Sequence, residues 1–360
     1  MKIEMGMQKE QFGTTKDGKT VTRYILENAN GMRVGLIDLG AVITNIWVPD
    51  RDGKMEDVVH GYDSVQAYEV NVPSFGAPVG RCANRISGGR CSIGGREYEL
   101  DHNDGENCLH SGYLRYNHLM YEAEYKQQED GSEWLCFSRL SPDGEQSLPG
   151  NFSYSISYCL TDGNELVIKY EGVSDKDTVV NMTNHSYFNL GKGGHKGKTI
   201  FDHEVKLFSD KYMPVNDQLY PTGEICDVEG TPFDFREFKR IGKDIVSDKD
   251  SPHYFKGYDH NFVLEHEKGE VVRAAACRVP SSGRQLVVLT DQPGIQMYTA
   301  PELSGEAGKD GVIYGPSSAV CFEAQNYPNA VNTPEFPDII LKAGEPYRQV
   351  TIFRFGIYEE

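Results

Sequence analysis

Several short polar stretches of this 360-residue chain carry side chains suited to moving protons. His185 sits in Asn181-Met182-Thr183-Asn184-His185-Ser186-Tyr187-Phe188, among groups that can fix an imidazole tautomer by hydrogen bonding. Imidazole is the side chain that exchanges protons most readily near neutral pH. Glu323 ends an apolar run, Ala319-Val320-Cys321-Phe322, and precedes Ala324-Gln325-Asn326-Tyr327-Pro328. A carboxylate at that position is partly desolvated, which lifts its pKa toward that of a useful general base. His110, in Asn107-Cys108-Leu109-His110-Ser111-Gly112, stands before a small-residue turn. Asp259 can accept hydrogen bonds from hydroxyls or build an Asx turn. Arg85 can donate to ligand oxygens or pair with a structural carboxylate. Residue type alone leaves two readings of His185 and His110 open: proton-transfer groups, or buried histidines bonded to their neighbours.

Other chemistries fit less well. Gly197-Lys198-Thr199 ends like a phosphate loop, but Lys192 occupies the position where such a loop needs glycine, and no apolar strand feeds it. A solvated basic loop is the expectation for residues 191 to 199. The ten histidines form no HxH, HExxH or paired-CxxC spacing, so no metal site is expected. Asn151-Phe152-Ser153, Asn181-Met182-Thr183 and Asn184-His185-Ser186 are formal glycosylation sequons. They carry no weight without a secretory signal, and MKIEMGMQKEQFG has no apolar stretch or cleavage pattern. A cytoplasmic location is expected. The eight cysteines are scattered singly, which predicts buried reduced thiols.

The elements that must hold these residues read as strands. Turn pairs recur at Asp17-Gly18, Asn30-Gly31, Asp52-Gly53, Asp104-Gly105, Asp130-Gly131, Asp143-Gly144, Asp162-Gly163 and Asp310-Gly311. Between them lie runs rich in β-branched and aromatic residues, or alternating apolar with polar: residues 32 to 48, 154 to 158, 166 to 170, 285 to 289 and 350 to 355. Helical periodicity is confined to a short stretch around Asp63 to Glu69. With no linker and no repeat, the pattern predicts an all-β chain, a β-sandwich or barrel, in one large domain spanning residues 1 to 360. A net charge of −18 argues against nucleic acid and anionic membranes. No run reaches the roughly 18 apolar residues of a membrane span. A small neutral or cationic ligand fits this charge. Abundant aromatics would suit a sugar, although aromatics are usually core.

Taken in order, four stretches resemble the aldose 1-epimerase family. They are Phe75-Gly76-Ala77-Pro78-Val79-Gly80-Arg81-Cys82-Ala83-Asn84-Arg85-Ile86; Asn107-Cys108-Leu109-His110; Thr183-Asn184-His185-Ser186-Tyr187-Phe188-Asn189-Leu190; and Phe322 through Ala330, continuing to Pro334-Glu335-Phe336-Pro337. Tyr258-Asp259-His260-Asn261-Phe262 and Pro293-Gly294-Ile295-Gln296 add to the match, which runs from about Phe12 to the C-terminus. The resemblance implies a large antiparallel β-sandwich of the galactose mutarotase type, and interconversion of the α and β anomers of a hexose such as galactose or glucose. It implies no metal or organic cofactor, a monosaccharide as the small-molecule partner, and a monomer or dimer. By position, Glu323 matches the family's general base and His185 its general acid. Asn84, Arg85, His110, Asp259 and Gln296 match substrate-binding positions.

The chain departs from the family pattern in three places. Leu-His-Gly-Gly becomes Leu109-His110-Ser111-Gly112, and Glu-Thr-Gln becomes Glu323-Ala324-Gln325. A segment that commonly holds Gly-aromatic-Asp and then Trp reads Tyr113-Leu114-Arg115-Tyr116-Asn117-His118-Leu119-Met120-Tyr121. These departures bear on which sugar is preferred. The alternatives are a non-catalytic carbohydrate-binding protein of the same fold, and a mutarotase for a different sugar or a sugar phosphate. The acidity of the chain, without an evident basic cluster, weighs against the phosphate. A glycoside hydrolase generally needs two carboxylates flanking the bond, and here one carboxylate and one histidine carry the match.

Overall fold

Turn chemistry and alternation translate directly into antiparallel sheets. The computed structural model describes residues 7–129, 131–245 and 256–359; Asp130, of the expected Asp130-Gly131 turn, lies outside them. The first sheet is a meander of Gln8–Thr14, Thr20–Glu27, Arg33–Ile37, Val42–Pro49 and Met55–Asp57. Gly18 takes φ +84° in its first turn, a conformation that costs glycine little. The run expected over residues 32 to 48 is two strands, split where Gly40 and Ala41 turn the chain with φ of +73° and +53°. Between Phe152–Leu160 and Glu165–Ser174 the positive φ falls on Asn164 (+57°), not on Gly163. Asparagine tolerates the left-handed region, so the dipeptide signal was displaced by one residue.

The largest sheet has nine strands. Its order is Glu122–Gln127, Glu133–Ser141, Phe152–Leu160, Glu165–Ser174, Pro346–Ile357, Arg284–Thr290, Val272–Arg278, Glu204–Leu207 and Lys239–Arg240. The last strand of the chain therefore lies in the middle, pairing Glu165–Ser174 on one side and Arg284–Thr290 on the other. Its buried face carries Thr351, Phe353 and Phe355, as period-2 alternation requires. A third sheet runs Cys226–Asp227, Lys211–Tyr212, Asp259–Val263, Gly294–Tyr298 and Cys321–Gln325. One apolar cluster draws on all three: Leu36 and Ile46; Phe137, Ile156 and Phe353; Phe262, Ile295 and Phe322. The fold is all-β and sandwich-like. Among the described residues the single α-helix is Val65–Tyr68, capped by Ser64 Oγ accepting from the Ala67 amide.

Two expectations need correction. Residues 191 to 199 are not simply a solvated loop. The lysines are exposed, but Gly194 and His195 are buried, and a Cβ on Gly194 would lie 2.0 Å from the Asp57 carbonyl oxygen. The eight cysteines are free, but Cys136 and Cys226 are only half-buried. No helix among the described residues is long and apolar enough to cross a membrane.

Candidate active site

The third sheet sets out a polar row by register alone. Glu323 lies opposite Gln296, Gln296 opposite Asn261, and Asp259 opposite Tyr298. Cross-strand partners share a face, so Glu323, Gln296, Asn261, Asp259 and Tyr298 all project to one side. Phe322, Ile295, Met297 and Phe262 go to the core on the other. Ala324 alternates to the side opposite Glu323, which places that departure from the family pattern away from the polar row. His185 ends the short strand Thr183–His185, paired with Ala77–Val79.

A second corner is built from strained backbone. Asn84, His110 and Ser111 adopt φ of +61°, +54° and +64°, which non-glycine residues rarely do. The corner compensates through hydrogen bonds. The Asn84 amide donates to His110 Nδ1 at 3.1 Å, and the His110 amide donates to the Asn84 carbonyl at 3.1 Å. Ser111 Oγ accepts from the Cys82 amide at 2.7 Å and donates to the Cys82 carbonyl at 3.1 Å. Serine in place of the family's glycine thus ties this corner to the Cys82 backbone, between the strands Ala77–Val79 and Arg85–Ile86.

The two corners face a cavity of about 190 Å³ lined by Asn84, Arg85, His110, His185, Asp259 and Glu323, together with Arg115, Tyr187 and Tyr298. Gln296 stands behind the wall and donates from Nε2 to Asp259 Oδ1 at 2.7 Å. The structure thus brings together residues that the sequence scatters between positions 84 and 323. His185 Nε2 is 3.6 Å from Glu323 Oε1, and both side chains are almost wholly buried. Arg85 is held between carboxylates: Nε donates to Asp104 Oδ2 at 2.7 Å, and Nη1 to Asp259 Oδ2 at 3.4 Å.

Burial dominates the electrostatics. Desolvation pushes the Glu323 carboxyl well above its ordinary range, with Asp259 adding to the shift and Arg85 opposing it. Desolvation pulls His185 down to about 3, helped by the positive charge of Arg115. His110 is likewise held well below its usual value. The open polar valences are telling. His185 Nδ1, Glu323 Oε2 and Gln296 Oε1 are buried and bond to no protein group. Such groups are rare in folded proteins outside sites that meet a ligand or water. His185 is therefore not a histidine satisfied by its neighbours; it stacks on Tyr187, with ring centroids 4.9 Å apart.

His110, His185 and Glu323 gather ligand atoms within 4.8 Å of one another, near enough to be tested as a metal site. Because His110 Nδ1 accepts from the Asn84 amide, its one remaining proton sits on Nε2, and the ring has no lone pair free for a cation. His110 is a hydrogen-bond donor to the cavity. A larger surface hollow, about 1030 Å³, lies beside Phe201 and Lys243. Two of its cations are paired with its own acids, Arg236 with Asp234 and Lys239 with Asp244.

Sequence reasoning did not single out Arg115, Tyr187, Tyr298 or Asp104. Tyr187 was inside a quoted stretch, and Arg115 inside the segment that departs most from the family pattern. Those positions were the available signal.

An antiparallel β-sandwich with a buried histidine–carboxylate pair in a polar cleft defines a mutarotase-like protein. The profile described as aldose 1-epimerase matches residues 22–354. Galactose mutarotase of Rattus norvegicus is 41% identical over 347 residues, 96% of this chain and 97% of the relative. That of Sus scrofa is 42% identical over 348 residues, 96% and 97% of the two chains. The crystal structure of an aldose epimerase homologue from C. elegans superposes with a TM-score of 0.84 at 27% identity, covering 94% of this chain and 99% of that one. The chain belongs to the aldose 1-epimerase family.

Proposed function

We propose that the chain is an isomerase that interconverts the α and β anomers of a free hexose, such as galactose or glucose, by acid–base ring opening and re-closure. The observation that carries this reading is the His185–Glu323 pair, 3.6 Å apart in a polar cavity with open valences on both partners. Glu323 takes the proton from the C1 hydroxyl while His185 gives one to the ring oxygen O5. The C1–O5 bond breaks, and the open aldehyde turns about C1–C2. Reversal of both transfers closes the ring on the other face. Each transfer is worth a factor of roughly 10²–10⁴ in rate.

The opposed pKa shifts suit this cycle. Ring opening starts from the carboxylate–imidazolium form of the pair, the minor proton arrangement of the free protein, and ends with carboxylic acid and neutral imidazole. The proton count of the pair is the same in both states. Burial disfavours the charged state, so charge separation is relieved as the ring opens. Arg85 and the Nε2–H of His110 donate to sugar oxygens, Asp259 accepts from a hydroxyl, and Asn84 and Gln296 hold the neighbouring groups in place. The enzyme works on this reading as one domain, in the cytoplasm, on a single monosaccharide.

Polarimetry of fresh α-galactose and α-glucose tests the reading. Wild type accelerates the decay of rotation, and Glu323→Gln and His185→Ala lose that acceleration. Variants as fast as wild type would remove both residues from the mechanism, and sugar binding without acceleration by wild type would make the chain a carbohydrate-binding protein instead.

A further inference from the structure

The cavity holds two guanidinium groups in different states. Arg85 is neutralised by Asp104 and Asp259. Arg115 donates from Nη1 to the Val72 carbonyl at 2.7 Å and to Ser74 Oγ at 3.3 Å. These bonds fix its position without cancelling its charge. Among the described residues no carboxylate comes within ion-pairing distance of Arg115, and its Nε and Nη2 donate to no protein group. Asp104 is the carboxylate whose field reaches Arg115, but it is bonded to Arg85, and Glu302 of the cavity wall is engaged by Lys256. Arg81 gives a useful contrast, since it too lacks a carboxylate. It is wholly buried, and its Nη groups donate to the Pro149 and Gly150 carbonyls and the Ser141 and Thr178 hydroxyls. Arg81 is a structural cation; Arg115 is a cation that faces the cavity with donors to spare.

We propose that Arg115 makes this cavity select aldoses that carry a negatively charged group, a carboxylate or a phosphate, over the neutral hexoses. A guanidinium presents a planar fork of donors that matches either anion, and in a cleft of low dielectric such charge-assisted bonds are strong. The charge of the whole chain, −18, does not oppose this, because surface charges are screened over about 10 Å while a half-buried cation is screened much less. Arg115 is placed on the acid side of the pair: it bears on His185, Arg85 bears on Glu323, and both bear on His110.

This inference rests on the mutarotase reading, and the experiment separates the two. Exchange NMR at anomeric equilibrium gives enzyme-catalysed kcat/KM for D-galactose, D-galacturonate and D-galactose 6-phosphate, with uncatalysed rates subtracted. The expected result is a roughly 10- to 100-fold advantage of at least one anionic sugar over galactose, the range of a charged hydrogen bond. Which arm shows it identifies the source of the charge. Arg115→Gln should bring that ratio to about one, and Arg115→Lys, which keeps the charge but loses the fork, to an intermediate value. Arg115→Lys carries the test should Arg115→Gln not fold. A wild-type ratio at or below one for both anions, or a ratio unchanged by either substitution, overturns the proposal. Absence of catalysis on all three sugars would instead overturn the mutarotase reading.

Discussion

Two of the buried acid–base pairs among the described residues are finished differently. Asp57 and Lys309 meet at 2.5 Å, both nearly inaccessible. Asp57 also accepts from Asn45 Nδ2 at 2.7 Å and from the Ile46 amide at 3.0 Å, while Lys309 Nζ donates to the Thr44 carbonyl at 2.7 Å. Every charge there has been given partners, as a buried ion pair requires. His185 and Glu323 are just as buried but stand 3.6 Å apart, each with an open valence. The first pair is saturated by the protein. The second keeps unmet hydrogen-bonding capacity beside the cavity, as its proposed acid–base role requires. Burial alone therefore does not mark a functional group; burial with unmet hydrogen-bonding capacity beside a cavity does. His60 sharpens the criterion, because both its ring nitrogens are unpartnered, yet it stacks on Tyr314 at 3.7 Å and does not line the cleft.

Substitutions that exchange the fates of the two pairs test this contrast. Glu323→Gln has the largest expected effect, a loss of about 10²–10⁴ in kcat by polarimetry, without loss of fold. Because its carboxyl is raised, Glu323 contributes stability that is present at low pH and lost as pH rises through its folded pKa. Gln at this position does not titrate. Thermal melts should show Glu323→Gln as stable as wild type at pH 5 and at least as stable at pH 8. Asp57→Ala should behave in the opposite way. Leaving Lys309 buried and unpaired costs about 3–5 kcal/mol, read by urea denaturation. Adding Lys309→Met should recover most of it, and a single substitution without cost would mean that the saturated pair is not structural.

Much of the fold was visible in the linear sequence, but little of this contrast. The strands at Phe152–Leu160 and Pro346–Ile357 announced themselves because alternation is a local property. So did the tight turns among the described residues, apart from the shift from Gly163 to Asn164. Glu323 was legible as an acid beside an apolar run, although it sits in the middle of the strand Cys321–Gln325 and not at its end. What local pattern could not supply was pairing across the chain: nothing near Arg85 says that Asp104 and Asp259 neutralise it, or that Arg115 lacks such partners. The Asp57–Lys309 pair drew no notice, because neither residue stands in a motif and their meeting depends on tertiary packing. The family resemblance filled part of that gap for the seven candidate residues. It could not do so for Arg115, which lies where the pattern breaks.

The acid limb separates the pairs by their titration. His185 is pulled down to about 3 in the fold, so it stays neutral there while an unfolded histidine takes up a proton near pH 6.5. Its contribution to stability is therefore present above that pH and is lost as pH falls toward 3. His203 is depressed to a similar value by burial alone, so the wild-type acid limb is a composite. The difference between wild type and His185→Asn isolates the active-site term. The variant's stability should fall less steeply between pH 6.5 and 4, measured by denaturant midpoints. Parallel slopes would show that His185 already shares the proton of Glu323 in the empty cavity and is not held neutral by burial.

The smallest expected effect concerns the corner that carries His110. Ser111 holds φ +64° at the expense of backbone strain, and offsets this with two hydrogen bonds to Cys82. Ser111→Gly relieves the backbone and gives up both bonds. These terms are each about 1 kcal/mol and opposite in sign, so stability should change by less than about 1 kcal/mol. The effect on catalysis should appear in KM before kcat, because the His110 donor is fixed through this turn while His185 and Glu323 are carried by separate strands. A fall in kcat at unchanged KM would show instead that the strained corner sets the geometry of the proton-transfer pair itself.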